Sequence, residues 1–466
     1  MRRVPPRRIP LVKPLSGCLA LALAAGAGAD ANTLDVLLAP HGWPQRRPAG
    51  ILIVDNCNDS GPGSLRAAMD AAIDGSGIFL KPTGCSTITL TTGELATSAN
   101  DLTVMGPGRS SLSISGNHAS RVFAHDGGGY LDLFDFTLRD GLVVAGDGDD
   151  ARGGCLYSNG SLYLLSVGIV GCEAQATGNG EARGGGIYVR GDVKMSYSLI
   201  TDNVAQGASS RALGGGLYSA GVVQVGYDGF LRNMAIVTGT GAYGYGGGIW
   251  SSAGANVFTS TLQGNSADRG GGIAADGLHM KECTLYANVS RRFGGAGIYI
   301  GGSTSISGST ITGNVESNPD GIGYGAGVSA AADLHVDLQS SIVSGNVLSV
   351  ADPPGYVRSD IGSGAPSTTV ISGANNLVGH SSLPVPDDTI VTDDPQLGSL
   401  RGNGGPTQTM MPLATSPVIN AGNRNNGARY DQRGPGHPRI VGAAVDIGAV
   451  ESNVLLADHV FADGFD

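Results

Sequence analysis

A column of aromatic residues is the feature of this 466-residue sequence that most suggests recognition chemistry. A glycine-rich box recurs along the chain, and the second residue after each box is Tyr or Trp in five of seven units. The aligned residues are Tyr157, Tyr188, Tyr218, Trp250, Ala274, Tyr299 and Ser329. An exposed aromatic ring offers a flat apolar face and, in Tyr and Trp, a polar edge, which together suit a sugar ring. We therefore expect these aromatics to form a glycan-binding strip, or alternatively to stack on one another and stabilise the sheet.

Arginines accompany the column. The position three residues before the end of each box holds Arg152, Arg183 and Arg269 in three units. The other units have Leu213, Tyr245, Gly294 and Tyr324 there. We include the three arginines with the five aromatics as candidate ligand-binding residues.

Catalytic chemistry has weaker support in the sequence. A polysaccharide-cleaving enzyme needs two carboxylates about 5 to 10 Å apart, or acidic residues that bind Ca²⁺. One unit carries Arg183, Asp192, Lys194 and Asp202, but the neighbouring units have Arg211, Val222, Gln224 and Arg232 at similar offsets. No cluster of acids crosses the repeats, and the eight histidines are scattered. We assign no catalytic residue.

The acidic stretch Gly146–Asp150 is the one candidate for a bound cation. Its sequence, GDGDD, could hold Ca²⁺, although such a run is more typical of a solvated insertion. We expect no cofactor and no metal site, with Ca²⁺ as the open alternative.

Five cysteines follow the first 29 residues, and they contain no CxxC pair. An exported chain can form disulfides. We expect Cys57 to pair with Cys85, because they flank one compact segment, and Cys155 to pair with Cys172. Cys283 is then left as a buried thiol.

The positions of these residues follow a repeat. The boxes end at Cys155, Gly186, Gly216, Gly248, Gly272, Gly297 and Gly327, which are 24 to 32 residues apart. A second landmark follows each box after 16 to 19 residues, at Cys172, Asn203, Asn233, Asn265, Asn288, Asn314 and Asn346. Such a period indicates a solenoid, with the variable length collected in a loop after each Asn.

Alternating apolar residues after each box predict strands rather than helices. Leu156, Ile187, Leu217, Ile249, Ile273, Ile298 and Val328 should point inward. The predicted fold is all-β, a right-handed single-stranded parallel β-helix with a short N-terminal capping helix. Glycines would allow tight turns, and the Asn residues would stack as a ladder at another bend.

Charge and the first residues set the expected location. Residues 1–29 combine Arg2, Arg3, Arg7, Arg8 and Lys13 with an apolar run too short to span a membrane, as in a signal peptide. The net charge is -11, which argues against a nucleic-acid partner. We expect secretion or display at the outer cell surface, with no transmembrane segment in the mature chain.

Both ends of the chain resemble one family. IVDNCNDSGPGSLRAAMDAA near the start, and DDPQLGSLRGNGGPTQTMMPLATSPVINAG with DQRG and VDIGAVE near the end, are similar to exported bacterial β-helix proteins of the choice-of-anchor Q group. The GGGI boxes also resemble the repeats of polymorphic outer-membrane proteins. The resemblance implies a pectate-lyase-like solenoid that is secreted or lies at the cell surface, with adhesin-like roles.

The predicted ends of the solenoid are capped. Ser64–Asp74 reads as an amphipathic helix with Ser64 as N-cap and Leu65, Met69 and Ile73 on one face. The C-terminal module should close the other end. The predicted divisions are a signal peptide (1–29), a linker (30–50), a cap with the first turns (51–100), repeats (101–350), a loop or irregular turn (351–390), the C-terminal module (391–452) and a tail (453–466).

These features favour an exported interaction protein that is adhesin-like and binds an extracellular glycan or a host or neighbouring cell surface. The alternative is a polysaccharide lyase or glycoside hydrolase acting on an extracellular polysaccharide.

Overall fold

A computed structural model describes residues 48–81, 84–146, 148–317, 324–351, 354–364, 367–424 and 427–452. The predicted signal peptide, most of the predicted linker, Asp147 and the predicted tail lie outside these residues. Within the described residues, no helix is long and apolar enough to cross a membrane.

The chain coils into an all-β parallel solenoid, as the repeat predicts. Each turn of the coil gives one strand to each of up to five sheets, which are numbered here in the order in which one complete turn, residues 130–158, passes through them. Strands of successive turns pair in parallel, so that Leu217 and Tyr218 lie beside Ile249 and Trp250. Period-two alternation buries every second residue, and all seven residues predicted to point inward lie in the core.

Sheets 1 and 2 run the length of the described coil. Sheet 1 contains Gly50–Val54, Ser76–Leu80, Leu102–Met105, Tyr130–Phe134, Ser161–Leu165, Val193–Ser196, Val223–Gly226, Ala255–Phe258, Leu278–Lys281, Thr304–Ser307, His335–Gln339 and Val370–Ala374. Sheet 2 contains Thr87–Thr89, Ser113–Ser115, Thr137–Arg139, Gly168–Val170, Leu199–Thr201, Gly229–Leu231, Thr261–Gln263, Thr284–Tyr286, Thr310–Thr312, Ile342–Val343, Leu377–Val378 and Ile390–Val391.

Sheets 3, 4 and 5 complete each turn. Sheet 3 contains Leu142–Ala145, Glu173–Ala176, Val204–Gly207, Met234–Val237, Ser266–Ala267, Val289–Ser290, Val315–Glu316, Val347–Ala351 and Pro354–Arg358. Sheet 4 contains Ala151–Arg152, Ala182–Arg183, Ala212–Leu213 and Gly244–Tyr245. Sheet 5 contains Leu95–Thr97, Phe123–His125, Leu156–Ser158, Ile187–Val189, Leu217–Ser219, Ile249–Ser251, Ile273–Ala275, Ile298–Ile300, Val328–Ala330 and Ile361–Ser363.

Two features require glycine in each box: the backbone conformation of its first residue and the close Asn side chain beside its last residue. The first Gly of each box lies in the left-handed region, for example with φ of +69° at Gly184 and +67° at Gly214. The last Gly packs against the Asn landmark of the same turn. A Cβ at Gly186 would lie 2.9 Å from Cγ of Asn203, so a larger residue would displace the amide.

The Asn landmarks form the predicted ladder. Asn233 donates from Nδ2 to Oδ1 of Asn265 at 2.9 Å, and the same oxygen accepts the backbone N–H of Asn233 at 3.0 Å. The contact recurs from Asn203 to Asn346, where Oδ1 of Asp360 is the last acceptor. At the other end of the ladder, Cys172 takes the Asn position and its disulfide partner Cys155 takes the box position.

The segment after each landmark is only in part the loop that the sequence predicts. It begins with a strand of sheet 3, and after Cys172, Asn203 and Asn233 it also gives a strand of sheet 4, so the loop is confined to the residues between the two strands. Sheets 3 and 4 pack on each other through small residues at the side of the coil. We call this region the alanine wing; its buried core is Ala151, Ala174, Ala176, Ala182, Ala205, Ala212, Ala235 and Ala267. The two sheets lie so close that a Cβ at Gly244 would be 2.2 Å from the carbonyl oxygen of Ala235.

The N-terminal cap is a helix, although it is shorter than predicted. It spans Leu65–Ala71, Ser64 is its N-cap, and Leu65 and Met69 are buried in the main core. The prediction that Ile73 lies on the buried face is wrong, because the helix ends before Ile73 and this residue is 67% exposed.

The predicted role of the C-terminal module is also wrong, since the module does not close the end of the coil. Residues 381–385 do so: Ser381 forms a bridge to Ile361 of the last turn, and Leu383 and Val385 pack against the main core. The segment 351–390 therefore contains the last turn of the coil. An antiparallel hairpin precedes this turn: Val347–Ala351 pairs with Pro354–Arg358, and the second strand is exposed.

The C-terminal module lies instead along the outer face of sheet 2. Thr261 donates to the carbonyl oxygen of Gln408 at 2.6 Å, and the backbone N–H of Ala449 donates to Thr310 at 3.0 Å. A small apolar cluster joins Ile342 and Leu377 of sheet 2 to Val418 and Ile447 of the module.

Candidate functional site

The aromatic column forms a continuous ring stack on the outer face of sheet 5. Tyr157, Tyr188, Tyr218 and Trp250 occupy equivalent positions on adjacent strands. Their ring centroids are 5.3, 4.9 and 4.6 Å apart, with interplanar angles of 11° or less. The parallel register spaces strands by about 4.8 Å, which is close to the stacking distance of aromatic rings.

Three arginines lie over these rings; two belong to sheet 4, and the third comes just before a strand of sheet 5. Arg121 lies over Tyr157, Arg152 over Tyr188 and Arg183 over Tyr218, with guanidinium carbons 5.3, 5.6 and 5.8 Å from the ring centroids. Each arginine comes from the turn before the ring that it covers. Such cation–π contacts add to the stacking energy of the column.

Carboxylates form ion pairs with the arginines, so that basic and acidic side chains alternate along the row. Asp150 pairs with Arg152 and Arg183, while Glu181 pairs with Arg183 and Arg211. Burial works against ionisation of Asp150, but hydrogen bonds and the two guanidinium charges lower its pKa. Asp150 is therefore engaged in ion pairs, and Asp147 of the calcium hypothesis lies outside the described residues.

This geometry changes the interpretation of the column. A sugar stacked on Tyr188 or Tyr218 would need a ring face, and both faces of each ring are already covered by neighbouring rings. Both tyrosines are also 7% exposed. At Tyr188 and Tyr218, with Arg152 and Arg183, the expected glycan strip is thus a structural stack, which is the alternative that the sequence allowed. Tyr157 ends the stack beside Ala124, and Arg121 lies over its ring.

The stack ends at Ala274, and here a ring face is left without a ladder neighbour. Trp250 pairs in register with Ala274, which in turn pairs with Tyr299, so one aromatic is missing between the two. Tyr245, which stands where other turns have Arg, reaches toward Tyr299 with ring centroids 6.4 Å apart and tilted by 59°. Arg269 lies over Tyr299 at 5.4 Å and hydrogen-bonds its hydroxyl at 3.4 Å.

A pocket of about 220 Å³ opens at this interruption. Its walls are aromatic, from Trp250, Tyr245 and Tyr299, and its floor is Ala274 and Ala275. Leu213 and the charged groups Arg211 and Asp276 complete the lining. The sequence did not identify Arg211, Tyr245 or Asp276 as site residues; the signal that could have shown them was the single small residue in the column.

A second depression lies on the outer face of sheet 1. This open trough of about 580 Å³ has polar side chains from successive strands, Asn256, His279, Ser305 and Asp337, which are paired in register. Small residues form its border, namely Ala253, Gly254, Gly277 and Ser303.

The acidic residues that were considered for catalysis have structural roles. Asp192 accepts the backbone N–H of Val222 at 2.8 Å, and Asp202 pairs with Arg232 at 2.7 Å. Burial raises the pKa of Asp228 and of Glu282 to about 8, but neither group is accessible: Asp228 is buried in the coil, and Glu282 is buried between the coil and Arg439 of the C-terminal module. Within the described residues, no group of three or more His, Cys, Asp or Glu side chains is placed to hold a metal ion.

The cysteines pair as the sequence predicted. Disulfides join Cys57 to Cys85 and Cys155 to Cys172, and Cys283 is a free, buried thiol. Burial raises the pKa of Cys283 to about 12, so the thiol is protonated at neutral pH.

Comparisons with known proteins add little beyond the fold. No family model matches the chain, and no curated protein matches it. Among solved structures, the chain is similar to the crystal structure of pectate lyase Pel9A, with a TM-score of 0.44 and 16% sequence identity. The match covers 87% of this chain and 97% of that chain. A likeness of this size carries no conclusion about activity.

Proposed function

We propose that the chain is an extracellular interaction protein, adhesin-like in role, that binds glycans at the pocket beside Trp250. The observation that carries the proposal is the interrupted ring stack. Trp250 is stacked on one face by Tyr218, and its other face looks toward Ala274, where the column has no ring. Trp250 and Ala274 both line the pocket.

The pocket combines the two kinds of contact that sugars require. The apolar face of a sugar ring would stack on Trp250, whose indole provides a large flat surface. The carboxylate of Asp276 would accept hydrogen bonds from sugar hydroxyls, and the guanidinium of Arg211 would donate to them. Asp276 is exposed, and among the described residues its carboxylate has no hydrogen-bond or ion-pair partner.

The charges of the pocket favour a neutral sugar. Arg211 already pairs with Glu181 at 2.6 Å, and Asp276 contributes a negative charge nearby. The whole chain carries a net charge of -11, so its long-range field opposes the approach of polyanions.

Export and family membership are part of the proposal. Two disulfides support an oxidising compartment, and the charged, then apolar, first 29 residues support secretion to the cell surface. The quoted motifs support membership of the choice-of-anchor Q group. The N-terminal motif forms the disulfide and cap region, and the C-terminal motifs form the module on sheet 2.

A glycan-array screen of residues 30–466, followed by titration of the bound glycans, tests the proposal. We expect Trp250→Ala and Asp276→Asn to weaken binding at least about tenfold, since each removes roughly 1.4 kcal/mol or more of contact. Tyr188→Ala is the matched control, because it removes a ring of the same column that has no free face. Its binding should stay within about twofold of the wild type.

Two results would overturn the proposal. Absence of any glycan binding would remove the function, and equal binding by wild type and Trp250→Ala would remove the site. The same glycans are also analysed for products after incubation. New reducing ends or unsaturated sugars would show a glycosidase or lyase instead.

A further inference from the structure

The turn between sheets 5 and 1 beside the pocket is one residue shorter than the equivalent turns on either side of it. Only Asp276 and Gly277 connect Ile273–Ala275 to Leu278–Lys281. The turns on either side have three residues each, which are Ser252, Ala253 and Gly254 before it and Gly301, Gly302 and Ser303 after it. All six of these flanking residues are small, so no large side chain rises beside the short turn.

The pocket and the trough meet at this short turn. Asp276 lines the pocket on the sheet 5 side, and Gly277, the next residue, lines the trough on the sheet 1 side. The trough also reaches Ala253, Gly254 and Ser303 of the flanking turns. The two depressions therefore border one another across a low saddle, which we define as Asp276 and Gly277.

We propose that the ligand is an extended neutral oligosaccharide, with its terminal ring in the pocket and its following rings crossing the saddle into the trough. This inference rests on the glycan binding proposed above and adds the length and the path of the ligand. The pocket, at about 220 Å³, accommodates one ring. By the same measure the trough, at about 580 Å³, has room for about two more.

The side chains of the trough suit the hydroxyls of such a chain. Asn256, His279 and Ser305 lie on adjacent strands, so they present polar groups about every 4.8 Å across the path. Asn and Ser both donate and accept hydrogen bonds, and His does so when neutral. The rings of Phe258 and His279 meet edge to face, with centroids 5.5 Å apart, and this contact supports the position of His279.

The alternative path, along the axis of the solenoid, is closed on both sides of the pocket. Toward the N-terminus, Tyr218 covers the next ring position with its centroid 4.6 Å from Trp250. Toward the C-terminus, Tyr245 and Arg269 fill the space over Tyr299. A chain that leaves the pocket toward sheet 1 therefore crosses the saddle and enters the trough.

Gly277→Tyr tests the path because Gly277 can accept a side chain. A Cβ there would lie 3.5 Å from the nearest atom, the carbonyl oxygen of Ser303, and the backbone is not in the left-handed region. A tyrosine would thus block the saddle without straining the fold. Gly128→Tyr is the matched control: Gly128 lies in an equivalent turn several coils away, with no atom within 4 Å of its Cβ position.

The probes are glucose, mannose and galactose, each as the monosaccharide and as linear β-1,4-linked oligosaccharides of two to five rings, titrated by calorimetry. For the wild type and Gly128→Tyr we expect affinity to rise about tenfold or more from one ring to three, equivalent to about 1.4 kcal/mol, and then to level off. Gly277→Tyr should bind the monosaccharide unchanged but lose this rise. Asn256→Ala combined with His279→Ala should reduce it.

The outcomes separate this inference from the proposed function. If the wild type binds sugars with no dependence on length, or if Gly277→Tyr keeps the full rise, the extended path is wrong and the pocket stands. If no probe and no array glycan binds, both fail together.

Discussion

Asp228 occupies a position that serine holds in other turns, where the hydroxyl accepts a backbone N–H of the turn before. We call this row the hydroxyl ladder; its serines are Ser198, Ser260, Ser309 and Ser341. The carboxyl group in this row makes the free energy of unfolding depend on pH. Asp228 accepts the backbone N–H of Ser198 at 2.6 Å and of Gly226 at 2.8 Å, and its own N–H donates to Ser260. Burial raises its pKa to about 8. The folded chain therefore keeps a proton that the unfolded chain loses near pH 4, so the free energy of unfolding falls as pH rises from about 4 to about 8.

Asp228→Ser should remove this dependence, because serine is the residue type used by the neighbouring ladder positions. Relative to the wild type, we expect the variant's free energy of unfolding to rise by about 4 kcal/mol between pH 5 and pH 9, measured by urea unfolding. Asp202→Ser is the control, since Arg232 and other hydrogen bonds lower the pKa of that exposed carboxyl. Parallel pH curves for the wild type and Asp228→Ser would contradict the prediction.

Single residues were predictable where a repeat defined their neighbours. Cys283 could be assigned as a buried thiol because its unit has no partner cysteine, and the structure shows it donating its backbone N–H to Ser309 in the hydroxyl ladder. Ile73 could not be placed correctly, since helical periodicity alone does not show that the helix stops at Ala71. The role of Asp276 depends on which turn is short, and this appears only when the strands are aligned in space.

At the scale of one element, we expect substitutions in the Asn ladder to lower the free energy of unfolding more than substitutions elsewhere in the coil. Asn265 accepts two hydrogen bonds from Asn233 and donates to Asn288 and to the carbonyl oxygen of Phe230. Asn265→Ala leaves these buried groups unpaired, so we expect a loss of about 3 kcal/mol in the free energy of unfolding.

Chemical denaturation of Asn265→Ala beside Asn256→Ala measures this loss. Asn256 lies on the outer face of sheet 1 and is half-buried, and its replacement should change stability by about 0.5 kcal/mol or less. Equal effects of the two substitutions would mean that the ladder adds no more than any surface amide.

Sheets 1, 2 and 5 and the ladder could be predicted because their inward residues and turn residues recur at fixed spacing. The alanine wing could not. Its inward residues, such as Ala174 and Ala182, are small and flanked by polar residues, so they give no strong hydrophobic alternation. The aromatic column was identified correctly as a set of aligned residues, but its alignment in sequence does not reveal whether the rings face solvent or each other.

At the scale of the whole molecule, the position of the C-terminal module could not be inferred from its motifs. Sequence order places the module after the last turn, which suggested an end cap. Its contacts depend on the outward residues of sheet 2, Thr261, Thr284 and Thr310, which look like ordinary solvent-facing positions of a strand. The chain reverses after residues 381–385 have covered the end of the core, and the module then packs along the side.

Gln432 is the polar centre of that contact, and its replacement should loosen the module without opening the end of the coil. Its Oε1 accepts from Thr284 at 2.6 Å, and its Nε2 donates to Thr261 at 2.9 Å and to Thr407 at 3.0 Å. All of these atoms are buried, so Gln432→Ala leaves several without partners. By hydrogen-exchange mass spectrometry we expect faster exchange in 393–452 and in Thr261–Gln263 and Thr284–Tyr286.

Gln408→Ala is the matched control, because that side chain belongs to the same module and is exposed. The pattern of exchange decides between the two arrangements of the molecule. A module lying along sheet 2 protects strands in the middle of the coil, whereas an end cap would protect only the last turns. Faster exchange confined to Ile361–Ser363 and Leu377–Val378 would therefore contradict the lateral packing, because those strands lie at the end of the solenoid rather than beneath Gln432.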